Sequence, residues 1–162
     1  MDTLASILLA GVGATACTDL WVVVRRRILR VAAPDFGLVG RWIGHMPRGR
    51  FRHAAIAAAA PIAGERVLGW TAHYLIGIAF ATLLPVFWGA EWFREPRLAP
   101  ALLVGVATVA APFLLMQPGM GAGLAARLTP NPNRARLHSL ATHAVFGVGL
   151  YACGWALSRF AS

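Results

Sequence analysis

Three ionisable residues stand inside long apolar runs of this chain: Asp19, His73 and His143. An ionisable side chain in hydrocarbon is costly, so each marks a candidate functional position. Two histidines and one carboxylate form the donor set of a facial iron centre, and they suit zinc or manganese as well. A divalent transition metal bound at Asp19, His73 and His143, or passed through them, is therefore the first expectation. His73 and His143 alone would also serve as axial ligands of haem b, held between facing helices for electron transfer. The same set could relay protons, because imidazole titrates near neutral pH. The plainest alternative is a structural or accessory membrane subunit without a ligand. Its polar groups would then only bond helix to helix, at about 1 kcal/mol each.

Spacing supports treating the three as one set. Asp19 lies five residues before the end of its apolar run, and His73 and His143 each lie six residues past the start of theirs. At 1.5 Å per helical residue all three sit roughly 7–9 Å inside the same boundary. Each also falls on a stripe of small residues spaced by four: Gly11, Thr15 and Asp19; His73, Gly77 and Ala81; His143 and Gly147. Such stripes mark faces where membrane helices approach closely, so the polar groups are expected to point inward. The segments 72–81 and 142–151 also echo each other, with a His followed four residues later by Gly in both.

The elements that must hold these residues follow from composition. Hydrophobic residues make up 58% of the 162-residue chain and charged residues 13%, about half the charged share of a soluble domain. Mean hydropathy is +0.63. Four runs are long enough to cross a bilayer as helices: 4–24, 67–88, 98–116 and 137–157. The expected fold is all-α, a single polytopic membrane domain over 1–162 built as a four-transmembrane-helix bundle. Pro85 and Pro112 fall within spans, where neighbouring helices can satisfy a freed carbonyl.

All 15 basic residues are Arg. Nine lie between the first two spans (25–66), three lie at 127, 134 and 136, and only Arg94, Arg97 and Arg159 fall on the other side. This bias puts the two basic segments in the cytoplasm and both termini in the periplasm of a bacterial inner membrane. Trp88 and Trp92 are expected at the outer interface, and Trp42 and Trp70 at the inner one. The net charge of +9 on so apolar a chain points to the lipid bilayer and its anionic headgroups as partner, not to nucleic acid.

Within the first cytoplasmic loop, Phe36, Val39, Ile43 and Met46 recur at helical spacing, predicting a short interfacial helix. Arg48, Arg50 and Arg52 follow as a headgroup-binding cluster, and His45, His53 and His138 are expected near the surface, solvated. Cys17 and Cys153 should lie roughly 13 Å apart along the membrane normal, too far for a disulfide. No nucleophile–base pair, phosphate loop or paired carboxylates occur, so nothing points to catalysis.

The run from Leu38 to His53, Gly64-Glu65-Arg66, Gly69-Trp70, His73-Tyr74 and Thr142-His143-Ala144-Val145-Phe146-Gly147 together resemble an uncharacterised bacterial family of small multi-pass membrane proteins, domain of unknown function 2938. The resemblance covers nearly the whole chain. It implies a membrane protein and carries no activity.

Overall fold

The computed structural model describes residues 2–160, and among them every regular element is helical. The helices are α1 (Thr3–Leu29), α2 (Phe36–His45), α3 (Glu65–Ala81), α4 (Leu83–Trp88), α5 (Leu98–Ala107), α6 (Gln117–Met120) and α7 (Pro132–Phe160). Four stretches are long and apolar enough to cross a membrane: Thr3–Leu29, Glu65–Trp88, Leu98–Met120 and Pro132–Arg159. All four expected spans are present, and six of their eight ends run further than hydropathy suggested. Helices α1 and α7 carry their hydrogen bonding on through Arg25–Arg27 and back to Pro132. Arginines at a helix C-terminus complement its dipole, and Pro at a first helical position sacrifices no bond.

Local chemistry accounts for the starts and breaks. The Asp2 carboxylate caps α1 by accepting from the Leu4 N–H, and α1 ends on Arg30 in a left-handed conformation. Asp35 caps α2 by accepting from the Gly37 N–H at 2.8 Å. The second span is broken at Thr82, three residues before Pro85, which cannot donate to the Ala81 carbonyl. Pro112 opens a π-helical turn, Pro112–Met116, in the third span.

Packing concentrates in two compact units. One takes the described parts of Met1–Ala33, Tyr74–Thr108 and Leu140–Ser162, and the other takes Pro34–His73 and Val109–Ser139. The first unit has a core of Ala10, Ala14, Ala81, Leu84, Trp92, Phe93, Ala101, Val104, Phe146 and Leu150. Ala10, Ala14, Ala81 and Ala101 are fully covered where helices meet, while Leu8, Leu20, Leu75, Val86 and Leu103 are exposed. Small residues at the crossings and large apolar ones on the outside suit a chain whose outer solvent is lipid.

Glycine sets the crossings of the first unit. A Cβ on Gly11 would come within 2.6 Å of the Ile78 Cα, and one on Gly105 within 2.6 Å of the Gly147 Cα. Gly77 meets the Thr15 hydroxyl in the same way. Both glycines of the internal echo therefore sit at helix crossings. Trp92 is buried, packs over Gly154 and donates to the Arg97 carbonyl at 3.3 Å. The cysteine thiols are free. Cys17 lies against Gly149 and Cys153 against Gly13, an offset of about one helical turn, roughly 6 Å.

Candidate functional site

The polar side chains of the first unit bond across helices. Tyr74, on α3, donates its hydroxyl to Asp19 Oδ2 on α1 at 2.9 Å. The Gly11–Ile78 and Gly77–Thr15 contacts bring the two backbones close enough for this bond. Thr15 turns its own hydroxyl back to the Gly11 carbonyl at 2.7 Å, so the same seam holds no stray donor there.

His143, on α7, meets Thr108 and Gly105 of the third span. Thr108 donates its hydroxyl to the Gly105 carbonyl at 2.7 Å. That leaves its oxygen free to accept from His143 Nδ1 at 3.0 Å, with the Gly105 carbonyl 3.2 Å from the same nitrogen. Both neighbours accept, which assigns the proton to Nδ1 and the lone pair to Nε2. This polarity orients the ring and ties α7 to α5 beside the Gly105–Gly147 crossing.

His73 belongs to the second unit and is held by aromatic rings. Its ring centroid lies 4.2 Å from that of Phe36 and 5.8 Å from that of Trp70. Asp19 thus bonds to Tyr74, His143 meets Thr108 and Gly105, and His73 packs with Phe36 and Trp70. Among the described residues, no three His, Cys, Asp or Glu side chains gather as a metal-holding group. Tyr74 and Thr108 were not among the candidates, since a hydroxyl in an apolar run gives no signal of its partner.

The second unit contains a denser polar network, built on α2. Arg41 makes a two-pronged bond to Glu65, Nε to Oε2 and Nη2 to Oε1, both at 2.8 Å. Its remaining Nη1 donates to the carbonyls of Ala57 at 3.2 Å and Ala59 at 3.0 Å. Glu65 also accepts from the Ile62 N–H at 3.1 Å. Bonding to Glu65 raises the Arg41 pKa further above its ordinary value. One guanidinium thus fastens the segment 56–62 to both α2 and the start of α3.

His45 is buried, contrary to the expectation of a solvated residue. Its Nε2 lies 3.0 Å from the Ala60 carbonyl, which can only accept, so Nε2 carries the proton. In the neutral ring Nδ1 then accepts from His53 Nε2 at 3.0 Å. His53 Nδ1 is left buried without a partner among the described residues. Trp42 completes the set by donating Nε1 to the Phe51 carbonyl at 2.9 Å. Arg41, Trp42, His45 and His53 thus fold the loop 46–62 over α2, while Arg48, Arg50 and Arg52 stay exposed. The sequence reading missed this because the partners lie 8 to 24 residues apart and follow no helical spacing.

Comparison with known proteins agrees with the family read from the motifs. The chain belongs to the family described as Protein of unknown function (DUF2938), whose model matches residues 8–157. No curated protein and no solved structure matches it.

Proposed function

We propose that this DUF2938 member is a structural or accessory subunit of a bacterial inner membrane, in which Asp19 and His143 bond helices together and hold no ligand. The observation that carries this reading is the pairing of each group with an acceptor or donor on another helix. Asp19 accepts from Tyr74 at 2.9 Å, and His143 meets Thr108 at 3.0 Å. A metal centre would instead draw several such groups around one point. The asymmetry of the arginines orients the chain, with 25–66 and 117–136 in the cytoplasm, both termini in the periplasm, and anionic headgroups against the exposed arginines.

One detergent-purified preparation and its single-cysteine derivatives test this. Elemental analysis and a visible absorption spectrum should show neither a stoichiometric transition metal nor haem. An equivalent of either, lost in both Asp19→Ala and His143→Ala, would replace the structural reading with the metal or haem one. Reporter cysteines at positions 50 and 94 should label from opposite sides of the membrane; labelling from one side overturns the four-span orientation.

A further inference from the structure

Two buried N–H donors at the Arg-rich end of α1 have no partner among the described residues. Trp21 Nε1 and Arg25 Nε are both covered and make no hydrogen bond among the described residues. They are four residues apart, so they share one face of α1 at successive turns, about 6 Å apart along the axis. Arg25 is the more telling of the two, because its residue exposure is only 7%. Its neighbours Arg26 and Arg27 are exposed, as the end of a membrane helix ordinarily has them.

A guanidinium is always charged, so a buried Nε–H without an acceptor is costly. The carboxylates nearest in sequence are already engaged. Asp19 accepts from Tyr74, and Asp35 caps α2. Water could satisfy the indole N–H but could not neutralise the cation. Trp and Arg side chains carry donors and no acceptors, so their common partner must be an acceptor, and Arg25 makes it an anion.

We propose that Trp21 and Arg25 form a binding site for a phosphate ester, the headgroup of an anionic phospholipid. The phosphate oxygens would take the Arg25 guanidinium, and the glycerol-ester oxygens, about one turn deeper, would take the Trp21 indole N–H. The position of the pair favours a lipid source. Arg25 is the first residue beyond the apolar run of α1, where headgroup phosphates lie, and Trp21 is one turn inside it. One turn further in, Cys17 packs against α7, with its Cβ 3.1 Å from where a Cβ on Gly149 would stand. The stripe Cys17–Trp21–Arg25 thus starts from a helix–helix seam at Cys17 and runs toward the Arg-rich end of α1. The proposal rests on the membrane-spanning reading but not on the absence of a metal.

The test uses the full-length protein in neutral detergent, with phosphatidylglycerol, phosphatidylcholine or inorganic phosphate added. Native mass spectrometry should show phosphatidylglycerol retained on the wild type. Arg25→Gln should weaken retention about tenfold or more, the loss of one charge-assisted hydrogen bond. Trp21→Phe, which keeps the ring and removes the donor, should weaken it several-fold. Arg26→Gln, at an exposed cation, should change it by less than about threefold. Without added lipid, Arg25→Gln should melt at the same temperature as the wild type or higher, since it removes an uncompensated buried charge. Equal effects at Arg25 and Arg26, or a lipid-free Arg25→Gln protein that melts well below the wild type, would overturn the site. Saturation by inorganic phosphate with no retention of phosphatidylglycerol would overturn its assignment to lipid. If positions 50 and 94 still label from opposite sides, either failure belongs to this site and not to the topology.

Discussion

Gly69→Leu is expected to separate α2 from α3 and unfold the second unit. A Cβ at Gly69 would fall on the Phe36 carbonyl oxygen and within 3.0 Å of the Gly40 nitrogen. One at Gly40 would fall on the Glu65 carbonyl and within 2.7 Å of the Gly69 nitrogen. The obstacles are backbone, so no rotamer change can make room; the two helices must move apart. Overpacking a core costs about 1–3 kcal/mol where side chains can adjust, and a backbone-to-backbone crossing belongs at or beyond the upper end. The register of Arg41 and Glu65 depends on this crossing, since each lies within one turn of a crossing glycine. Thermal unfolding of the detergent-solubilised protein should show a large loss for Gly69→Leu and a smaller one for Gly69→Ala. Gly49, with nothing within 4 Å of its would-be Cβ, supplies the control: its alanine variant carries only the modest strain of a positive φ. Equal losses at 49 and 69 would refute the crossing.

Arg41→Ala should release the segment 49–62 without disturbing the first unit. The substitution removes two bonds to Glu65 and two to the carbonyls of Ala57 and Ala59 at once. It also leaves the Glu65 carboxylate, 22% exposed, with the Ile62 N–H in place of a counter-charge. Limited proteolysis should cut this segment several-fold faster than in the wild type. Arg41→Lys should recover only part of the protection, because an ammonium cannot reproduce the planar two-pronged bond. Arg50→Ala, in the same basic cluster but exposed, should leave the cleavage rate near that of the wild type. Equal cleavage in the Arg41 and Arg50 variants would mean that the network does not hold the loop.

Much of the architecture could be read from residue order because membrane spans are written locally. An apolar run of span length and small residues at intervals of four each need only neighbouring positions. The helix beginning at Phe36 was legible on the same terms. What could not be read was which polar groups meet. Tyr74 lies 55 residues from Asp19, and Glu65 lies 24 from Arg41, so no periodic pattern links them. His45 carries the chemistry of a surface residue, and only the folded course of 49–60 over α2 buries it. Nor does sequence order show that Trp92, near a span end, packs over Gly154 in the core of the first unit. In the first unit Asp19 and His143 are each bonded to a neighbouring helix, by Tyr74 and by Thr108.

That conclusion is tested most directly by a double-mutant cycle between Asp19 and Tyr74, measured as unfolding free energy in detergent. Asp19→Ala and Tyr74→Phe each remove one side of the 2.9 Å bond, and the double variant removes both. A helix-to-helix bond predicts that the two losses do not add, with a coupling of about 1 kcal/mol. Strict additivity, with each variant losing its stability independently of the other, would contradict the structural role assigned to Asp19.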